Sequence, residues 1–572
     1  MSGVLSEHLQ LLITAAGGIQ KLRGLILELA LRGKLVPQDP EDEPASELLK
    51  RAEQEWRRLQ DIGVRKKNKV VPIPDVEIAP PELPDGWVLT DLATIALINP
   101  RNTADDSMEV SFVPMAMIGN RFDGSHKQEF RKWSDVKQGF THFAEGDVGV
   151  AKITPCFENS KACVFVGLKN GIGAGTTELY IIRPMAQTLV PRYVLAYLKA
   201  PMFLAVGETK MTGTAGQKRL PKDFLESNPF PLPPLAEQQR IVAKVDELMA
   251  LCDQLEAEQA NAESSQAKLV ESLLGTLTQS INAADFAANW QRLARQFDTL
   301  FTTESSLDAL KQAILQLAVM GKLVSQNPDD EPAGELLKRI RGSRKVKRKI
   351  SAIDTESLEI PLPNIPDNWE WTVVDQIASD TDSSITDGPF GANLKTEHYI
   401  SSPGNRVIRL QNIAKREFRA EHHAYIDSER FARLEKHHVF AGDLVVAGLI
   451  DDSIRCCKLP SDIGNALVKA DCYRFSVHEC ISTDFSLNYL NSPLASLFAA
   501  SHHHGMTLTR IGLGNFRQLP FPLPPIAEQH RIVDKVNELL TLCDNLKASI
   551  IESSFRQEQL ASSLIDAARK AA

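Results

Sequence analysis

Apolar residues in two segments of the chain recur at alternating steps of four and three positions. The first set is Ile241, Val245, Leu248, Cys252 and Leu255, and the second is Ile532, Val536, Leu539, Cys543 and Leu546. This spacing is typical of a helix with a coiled-coil seam. Each helix follows a double proline, and a length of about 40 residues corresponds to roughly 60 Å. The two matching stripes can pack on each other or, alternatively, on a neighbouring domain.

Further periodic segments stand between these helices. The first long helix gives way to a polar hinge before about residue 305, and residues 306–320 then predict a second amphipathic helix, which Gly321 ends. Strand-like apolar runs occupy 146–153, 162–168, 177–184, 406–413, 442–450 and 472–477. A helical stretch follows each group of three runs. The pattern predicts an α+β fold with two mixed α/β domains of about 140 residues.

Two pairs of segments repeat along the chain. Residues 231–257 return at 522–548, and only 8 of the 27 aligned positions differ. Residues 22–51 match 310–339, and each copy is followed by a basic linker and then by PDGW at 84–87 or PDNW at 366–369. The chain is therefore a tandem duplication, for which we predict a pseudo-twofold arrangement.

The segments between the repeats align poorly, apart from GDV at 146–148 and GDL at 442–444. A repeated frame suits a symmetric partner, and unlike inserts suit two different targets, although neutral drift of the inserts is the alternative. The predicted regions are a helical segment with a basic linker at 1–84, lobe 1 at 85–230, a central helical segment with a linker at 231–365, lobe 2 at 366–520 and a long helix at 521–572. We call the repeated helical segments the frame.

Composition narrows the class of protein. The 572 residues are too many for one core, and no apolar run reaches about 18 residues. No signal-peptide pattern opens the chain, so we predict a cytoplasmic protein without membrane contact. The eight cysteines lack zinc-site spacing, which indicates reduced thiols. The net charge of −9 argues against a protein that coats DNA through bulk positive charge.

The repeated motif P-L-P-P-[LI]-A-E-Q-x-R-I-V, followed by a long helix, resembles the conserved regions of type I restriction-modification specificity subunits. TDGPFGANLKT at 386–396 with VIRLQNI at 407–413 looks like one type of their target recognition domain, and KITPCFENSKA at 152–162 with TTELYIIRP at 176–184 is similar to another. The resemblance covers essentially the whole chain. Residues 22–49 are similar to the subgroup with long N-terminal and central conserved regions.

The resemblance implies two target recognition domains separated by long antiparallel coiled-coil helices. It also implies a subunit without chemistry of its own, which binds double-stranded DNA, two adenine-methylating modification subunits and the motor-nuclease restriction subunits. S-adenosylmethionine, ATP and magnesium are then expected in those partner subunits, and no cofactor or metal is expected in this chain.

Catalytic motifs are absent from the sequence. Residues 227–230 (SNPF) and 387–390 (DGPF) are incomplete forms of the [DNS]-P-P-[YFW] tetrad that holds a flipped adenine. No GxxxxGK[ST] phosphate loop occurs, and GIGAG at 171–175 only links two strand-like runs. Three adjacent histidines at 502–504 indicate a polar loop and not a metal site. We therefore predict a non-catalytic subunit.

Candidate DNA-binding residues are donors and amides in loops, because forked donors contact base edges whereas lysines and hydroxyls contact phosphates. In lobe 1 they are Lys152, Thr154, Asn159 and Lys161 after one strand, and Thr212, Thr214, Gln217, Lys218 and Arg219 before the long helix. In lobe 2 they are Lys395, Arg409, Gln411, Asn412, Lys415 and Arg416 around one strand, and Thr509 and Arg510 before the second long helix. Any one of them can be an ordinary surface residue, so the two equivalently placed loops before the helices are the stronger prediction.

Several alternatives stay open. The basic linkers at 65–69 and 344–349 can reach phosphates or serve as plain connectors. A fused methyltransferase-endonuclease would need a catalytic domain for which the frame and lobes leave no length. A coiled-coil scaffold without DNA would not explain unlike lobes in a repeated frame. If modification subunits supply most of the DNA clamp, the isolated chain binds DNA weakly.

Overall fold

The computed structural model describes residues 9–61, 83–185, 187–214, 216–281, 283–344, 353, 358, 360–450, 453–501 and 509–571. These residues divide into two compact units. Unit 1 comprises Met1–Ala262 with Ser553–Ala572, and unit 2 comprises Glu263–Glu552. The linker at 65–69, all but Arg344 of the linker at 344–349, and the histidines at 502–504 lie outside the described residues. Each unit contains one lobe and part of the frame.

Lobe 1 consists of two four-stranded sheets that a separate strand pair closes. Its strands are β1 (Val88–Thr90), β2 (Ala96–Ile98), β3 (Glu109–Val113), β4 (Glu129–Lys132), β5 (Thr141–Ala144), β6 (Val148–Ala151), β7 (Ala162–Val164), β8 (Ile172–Gly175), β9 (Leu179–Pro184) and β10 (Phe230–Leu232). The sheet orders are β2-β9-β6-β7 and β4-β3-β8-β5. β3 and β8 run parallel, and all other pairs run antiparallel. The antiparallel pair β1·β10 brings the two ends of the lobe together.

The helices of unit 1 follow the predicted order. They are α1 (Leu9–Thr14), α2 (Gly18–Leu31), α3 (Ala45–Asp61), α4 (Leu92–Ile95), α5 (Trp133–Val136), α6 (Pro191–Lys199), α7 (Pro201–Lys210), α8 (Lys222–Ser227) and the first part of α9 (Leu235–Thr278). Tyr193 and Tyr197 on α6 pack edge-on against Phe230 of β10, with ring centroids 5.8 and 4.7 Å away. Both tyrosine hydroxyls donate to carbonyls of the β10 segment, so the helix and the closing strand pair form one core.

Lobe 2 repeats this topology. Its strands are β11 (Glu370–Val373), β12 (Ile385–Thr386), β13 (Asn405–Ile408), β14 (Tyr425–Ile426), β15 (His438–Val439), β16 (Leu444–Ala447), β17 (Leu449–Ile450), β18 (Cys456–Lys458), β19 (Ala466–Val468), β20 (Cys472–Phe475), β21 (Thr509–Arg510) and β22 (Pro520–Leu523). The sheet orders are β12-β20-β16-β18 and β14-β13-β19-β15, and β11·β22 closes the lobe. β17·β21 is an additional pair. The two lobes therefore share one fold although their sequences align poorly.

The helices of unit 2 are α10 (Ala283–Arg295), α11 (Phe297–Leu300), α12 (Glu304–Val319), α13 (Ala333–Ser343), α14 (Ser428–Arg433), α15 (Thr483–Leu490), α16 (Pro493–Ala500), α17 (Leu513–Arg517) and the first part of α18 (Ile526–Ala571), with the end of α9. From Ser553 onward α18 belongs to unit 1. The predicted hinge before residue 305 is wrong in part. It contains α10 and α11, whose Phe286, Trp290 and Phe297 pack on the core of unit 2. The predicted long helices are confirmed, with 44 residues in α9 and 46 in α18.

In unit 1, α2 contacts segments of both long helices. Arg23 of α2 pairs with Asp253 of α9 at 2.6 Å, and Lys21 and Glu28 pair with Ser562 and Arg569 of α18 at 2.7 and 2.6 Å. Residues later in α2 contact residues later in α18, so these two segments run parallel. Gln38, which follows α2, contacts Glu237, which lies earlier in α9 than Asp253, so α2 runs antiparallel to α9. The two long-helix segments of this unit therefore run antiparallel.

Unit 2 repeats the arrangement with α12 in place of α2. Buried side chains near the end of α9 pack with those of α12, and the start of α18 contributes to the same core. The polar contacts are Gln266 with Thr302, Lys322 with the Thr278 carbonyl, Lys547 with Asp308 and Gln326 with Glu528. Their order shows α12 parallel to the end of α9 and antiparallel to the start of α18.

The predicted apolar stripes pack within their own units. Ile241, Val245 and Cys252 lie in the core of unit 1, and Ile532, Val536 and Cys543 lie in the core of unit 2. Leu248, Leu255 and Leu539 are partly buried against these cores, and Leu546 is 39% exposed. These contacts match the interpretation in which the stripes pack on a neighbouring domain. A seam that joins the two stripes to each other stays a prediction.

The repeated motifs meet in a buried joint. In unit 1 the indole of Trp87 donates to Glu237 at 2.9 Å, and Gln38 donates to the other carboxylate oxygen at 3.0 Å. Glu237 is 1% exposed, and burial raises the pKa of its carboxyl. Gly33 ends α2 with a φ of +64°, and a Cβ there would lie 2.4 Å from Pro84. The repeated segments GKLV at 33–36, PDGW at 84–87 and AEQ at 236–238 therefore depend on one another.

Unit 2 contains the same joint. Trp369 donates to Glu528 at 3.0 Å, and Gln326 donates to its second oxygen at 2.6 Å. Gly321 has a φ of +69°, and a Cβ there would lie 2.4 Å from Pro366. The lobe thus leaves the frame at the same place, through the same contacts, in both halves.

Candidate nucleic-acid interface

The structure brings the two predicted loops of lobe 1 together. Arg219 forms a β-bridge with Thr212 across its own loop and another with Ile153 of the neighbouring segment. The amide of Lys218 donates to the Thr154 hydroxyl at 3.1 Å, and the Thr154 amide donates to the Lys218 carbonyl at 3.0 Å. We call residues 152–154 and 212–219 loop cluster 1.

Most side chains of loop cluster 1 face solvent. The exposed ones are Thr212, Thr214, Gln217, Lys218 and Arg219. Lys152 is half-buried, with its ammonium 5.1 Å from the ring centroid of Tyr180. Thr154 is a predicted DNA contact, but it is buried and its hydroxyl accepts a hydrogen bond from the Lys218 amide. The cluster therefore offers a mixed set of hydroxyls, an amide and cations.

Asn159 and Lys161 lie on the turn that follows Thr154. The Lys161 ammonium donates to the Met115 carbonyl at 3.1 Å, and that bond ties it to the lobe. Asn159 is exposed and lines a cleft of about 840 Å³ that residues of α2 and α9 also line. The structure does not show either side chain within loop cluster 1.

The loop before α18 occupies the equivalent place in lobe 2. Arg510 lies opposite Leu449, and Thr509 lies opposite Ile450, in the pair β17·β21. The side chain of Thr509 lies outside the described residues. Tyr473 of β20 donates to the carbonyl that follows Arg510, as Tyr180 of β9 donates to the carbonyl that follows Arg219. Arg510 therefore occupies the place in lobe 2 that Arg219 occupies in lobe 1.

Each loop carries an arginine beside a carboxylate. Arg219 binds Glu178 through Nε at 2.9 Å and Nη2 at 2.8 Å, and Arg510 binds Asp471 at 2.6 Å. Arg219 holds the pKa of Glu178 below its usual value. Sequence reasoning missed both carboxylates, although Glu178 is the second residue of the predicted run 177–184 and Asp471 directly precedes the run 472–477. The signal that the sequence offers for both carboxylates is an acidic residue next to the first apolar residues of a strand-like run.

A second carboxylate lies beside Arg510. Asp387 is 3.7 Å from the guanidinium and accepts the amides of Gly388 and Asp471 at 2.7 and 2.9 Å. Burial raises the pKa of Asp387 to about 6, and the neighbouring Asp471 adds to that effect. The exposed ring of Phe390 lies 5.1 Å from the Arg510 guanidinium carbon. These four residues form one polar and aromatic surface.

Two other candidate DNA contacts of lobe 2 bond to other groups of the protein. Asn412 is wholly buried, and its amide accepts from Arg409 and donates to the Arg419 and His422 carbonyls. Arg416 donates to Asn537 of α18 at 3.1 Å, so it contacts the frame. Residue type alone does not show that these groups are engaged inside the protein.

The remaining candidates of lobe 2 are at least partly accessible. Lys395, Gln411 and Lys415 are exposed, and Arg409 is half-buried with Nη2 donating to the His423 carbonyl at 3.3 Å. Lys415 lines a cleft with residues of α12 and α18. These four residues therefore stay predictions, whereas the loop of Arg510 has a counterpart in lobe 1.

In the described part of the chain, no group of three or more histidine, cysteine, aspartate and glutamate side chains is placed to hold a metal ion. Among the helices that the structure describes, none has the length and apolar character needed to cross a bilayer.

Comparison with known proteins places the chain in a family. A family model described as the type I restriction modification DNA specificity domain matches residues 181–263 and 462–553. The Escherichia coli type I restriction enzyme EcoAI specificity subunit is 45% identical over 96% of this chain and 94% of its own length. The Escherichia coli EcoEI specificity subunit is 42% identical over the same shares.

A solved structure supports the fold. A chain from a study of the assembly and conformational transition of the type I R-M system covers 86% of this chain and 99% of its own length. Its TM-score is 0.50 at 16% identity, which shows likeness of fold. With the sequence identity to the two curated relatives, these observations establish that the chain belongs to the family of type I restriction enzyme specificity subunits.

Proposed function

We propose that this chain gives a type I restriction-modification complex its DNA specificity, with each lobe contacting one half of a bipartite site. The observation that carries the proposal is the repetition of one lobe fold, with unlike surfaces, on one repeated frame. Repeated structure with different side chains suits two related tasks on different sequences. The chain itself supplies recognition, and partner subunits supply the catalytic residues.

The DNA-facing surfaces are the two loops that end at Arg219, before α8, and at Arg510, before α17. Their sequences differ: lobe 1 carries TGTAGQKR at 212–219, whereas lobe 2 carries MTLTR at 506–510, of which residues 509–510 lie in the described part of the chain, with Arg510 beside Phe390. Different donors at equivalent positions predict different base sequences in the two half-sites. The long helices set the distance between those half-sites.

The repeated frame suits two copies of one partner. Because the joints around Trp87 and Trp369 are alike, the frame presents similar surfaces twice, which supports docking of two modification subunits. Restriction subunits then join that complex. In this proposal S-adenosylmethionine, ATP and magnesium bind to the partner subunits.

Exchange of a lobe tests the proposal. The strand pair β1·β10 joins the ends of lobe 1, so residues 88–232 can be replaced by the equivalent segment of a relative while the frame is kept. After co-expression with the modification subunits, we expect one half of the methylated motif to change and the other half to stay. Exchange of residues 370–523 should change only the opposite half. An unchanged motif in both exchanges would contradict the proposal.

The isolated chain provides a second test. With a net charge of −9, it should bind duplex DNA weakly and with little sequence preference until the modification subunits join it. A gel-shift titration at fixed salt compares the chain with the complex. Tight specific binding by the chain alone, or methyl transfer without partners, would refute this part.

A further inference from the structure

We propose that Arg219 and Arg510 are equivalent base-contacting arginines, each of which recognises a guanine in its half-site, and that Glu178 and Asp471 orient their guanidinium groups. The inference rests on the proposed function and adds to it one base of each half-site. In this inference Glu178 and Asp471 are positioning residues, because they act on the base only through the arginines that they orient.

The first support is the matching placement of the two arginines. Each arginine ends a loop that is followed by a short helix, the closing strand and then a long helix, and each pairs across a β-bridge with the segment after a central strand. In each lobe a buried tyrosine hydroxyl donates to the carbonyl that follows the arginine. The lobes align poorly in sequence, and nevertheless an arginine and a carboxylate stand together at this position in both.

The second support is the way in which Glu178 holds Arg219. Its oxygens accept from Nε and Nη2, which form one side of the guanidinium. A guanidinium has five N–H donors, so the edge formed by Nη1 and Nη2 keeps two donors for another acceptor pair. Guanine presents such a pair, O6 and N7, in the major groove. The arginine side chain is 47% exposed despite this ion pair.

Arg510 is oriented by a related set of contacts. Its Nη2 lies 2.6 Å from Asp471, and its guanidinium carbon lies 5.1 Å from the ring centroid of Phe390. The side chain is 44% exposed. A carboxylate and an aromatic ring together restrict the guanidinium, which reduces the rotamer entropy lost on binding.

The carboxylates also favour a base over a phosphate as the ligand. A phosphate next to Glu178 or Asp471 would meet a like charge, whereas the acceptors of guanine are neutral. Lys218 lies in the same loop as Arg219, and the structure records no carboxylate bonded to its exposed side chain in the described part of the chain. It therefore suits a phosphate and serves as a control.

The experiment measures methylation of a library of half-site variants by the full complex. Arg219→Lys keeps the positive charge but removes the forked pair of N–H donors. Arg219→Gln removes the charge as well and leaves only the side-chain NH2 as a donor. We expect both variants to lose discrimination at one G·C pair of one half-site by roughly 10- to 100-fold. The other half-site is an internal control and should be unchanged. Arg510→Lys should produce the converse pattern.

Two further variants separate orientation from general binding. Glu178→Gln should reduce discrimination at the same G·C pair while the melting temperature changes little, because exposed ion pairs add little stability. Lys218→Ala should weaken methylation about equally for all sequences and reduce the salt dependence of binding. If Glu178→Gln changed only the melting temperature, its positioning role would be overturned.

The result that overturns the whole inference is uniform weakening by the Arg219 variants with no change at any base pair. A change at a pair other than G·C would overturn the choice of guanine. If lobe exchange still alters one half of the motif, either failure concerns only this inference. If lobe exchange alters nothing, the proposed function fails as well.

Discussion

Replacement of Trp369 by phenylalanine removes one donor from a buried carboxylate. The indole donates to Glu528 at 3.0 Å, and the carboxylate is 0% exposed. Gln326 binds the other oxygen, so the change leaves one oxygen without its donor. A buried acceptor in that state costs about 1–3 kcal/mol, and a charged one costs more. At about 2–4 °C per kcal/mol for a unit of this size, we expect the melting temperature to fall by roughly 2–10 °C at neutral pH.

The loss should depend on pH in one direction. Burial raises the pKa of Glu528, and the bond from Trp369 opposes that rise by stabilising the charged form. Without the bond the folded-state pKa rises further. A group with a raised folded pKa loses stability as pH increases from its unfolded value, about 4.5, through the folded value. The penalty of Trp369→Phe should therefore be small near pH 4.5 and grow toward pH 7.

Trp371→Phe is the matched control. This indole donates to the Pro363 carbonyl at 3.2 Å, so its loss affects a neutral acceptor in the same unit. Thermal unfolding of the full chain between about pH 4.5 and 8 compares the two variants with the parent. The penalty of Trp371→Phe should not vary with pH, and Trp87→Phe should reproduce the slope of Trp369→Phe. Equal slopes for Trp369→Phe and Trp371→Phe would refute the reasoning.

Three further changes have defined outcomes. Asp387→Asn should stabilise unit 2 by up to about 3 kcal/mol at pH 7.5, because the folded-state pKa of about 6 lies above the usual value of 3.8 and the charged carboxylate is therefore unfavourable in the folded protein. The melting curves of the variant and the parent should converge below about pH 4. Glu256→Lys places a cation beside Arg23 and Arg121 and should lower the melting temperature, most strongly at low salt. A lysine is suited to the equivalent position in the second repeat, Lys547, because its neighbours there are the carboxylates of Glu304 and Asp308. One extra turn in α9, about 5.4 Å, should change the gap in the methylated motif and leave both half-sites intact.

The frame could be predicted further than the lobes because its signal is periodic and repeated. Apolar spacing predicted both long helices, and Gly321 marked the end of α12. Periodicity shows that a helix face is buried but does not identify what covers it, so the contacts of Ile241 and Ile532 within their own units came from the structure. The segment that forms α10 has the aromatic pair Phe286 and Trp290 among alanines and polar residues, and the prediction treated it as part of the hinge.

The shared topology of the lobes was not predictable because pairing of distant strands leaves no mark in unlike sequences. Loop composition did predict the clusters of Arg219 and Arg510, since glycine and polar residues concentrate there. It could not separate exposed donors from Asn412, whose amide atoms are all engaged. The carboxylate of Glu178 was missed because it belongs to a strand-like run, and the sequence does not show that this run lies beside the loop of Arg219.

The most direct test of the two-lobe account is methylome sequencing of a host strain with and without the gene for this chain. The account predicts a split motif with a modified adenine in each half, and that motif should disappear on deletion and return on complementation. A continuous motif that depends on the chain, or a split motif that persists without it, would contradict the account.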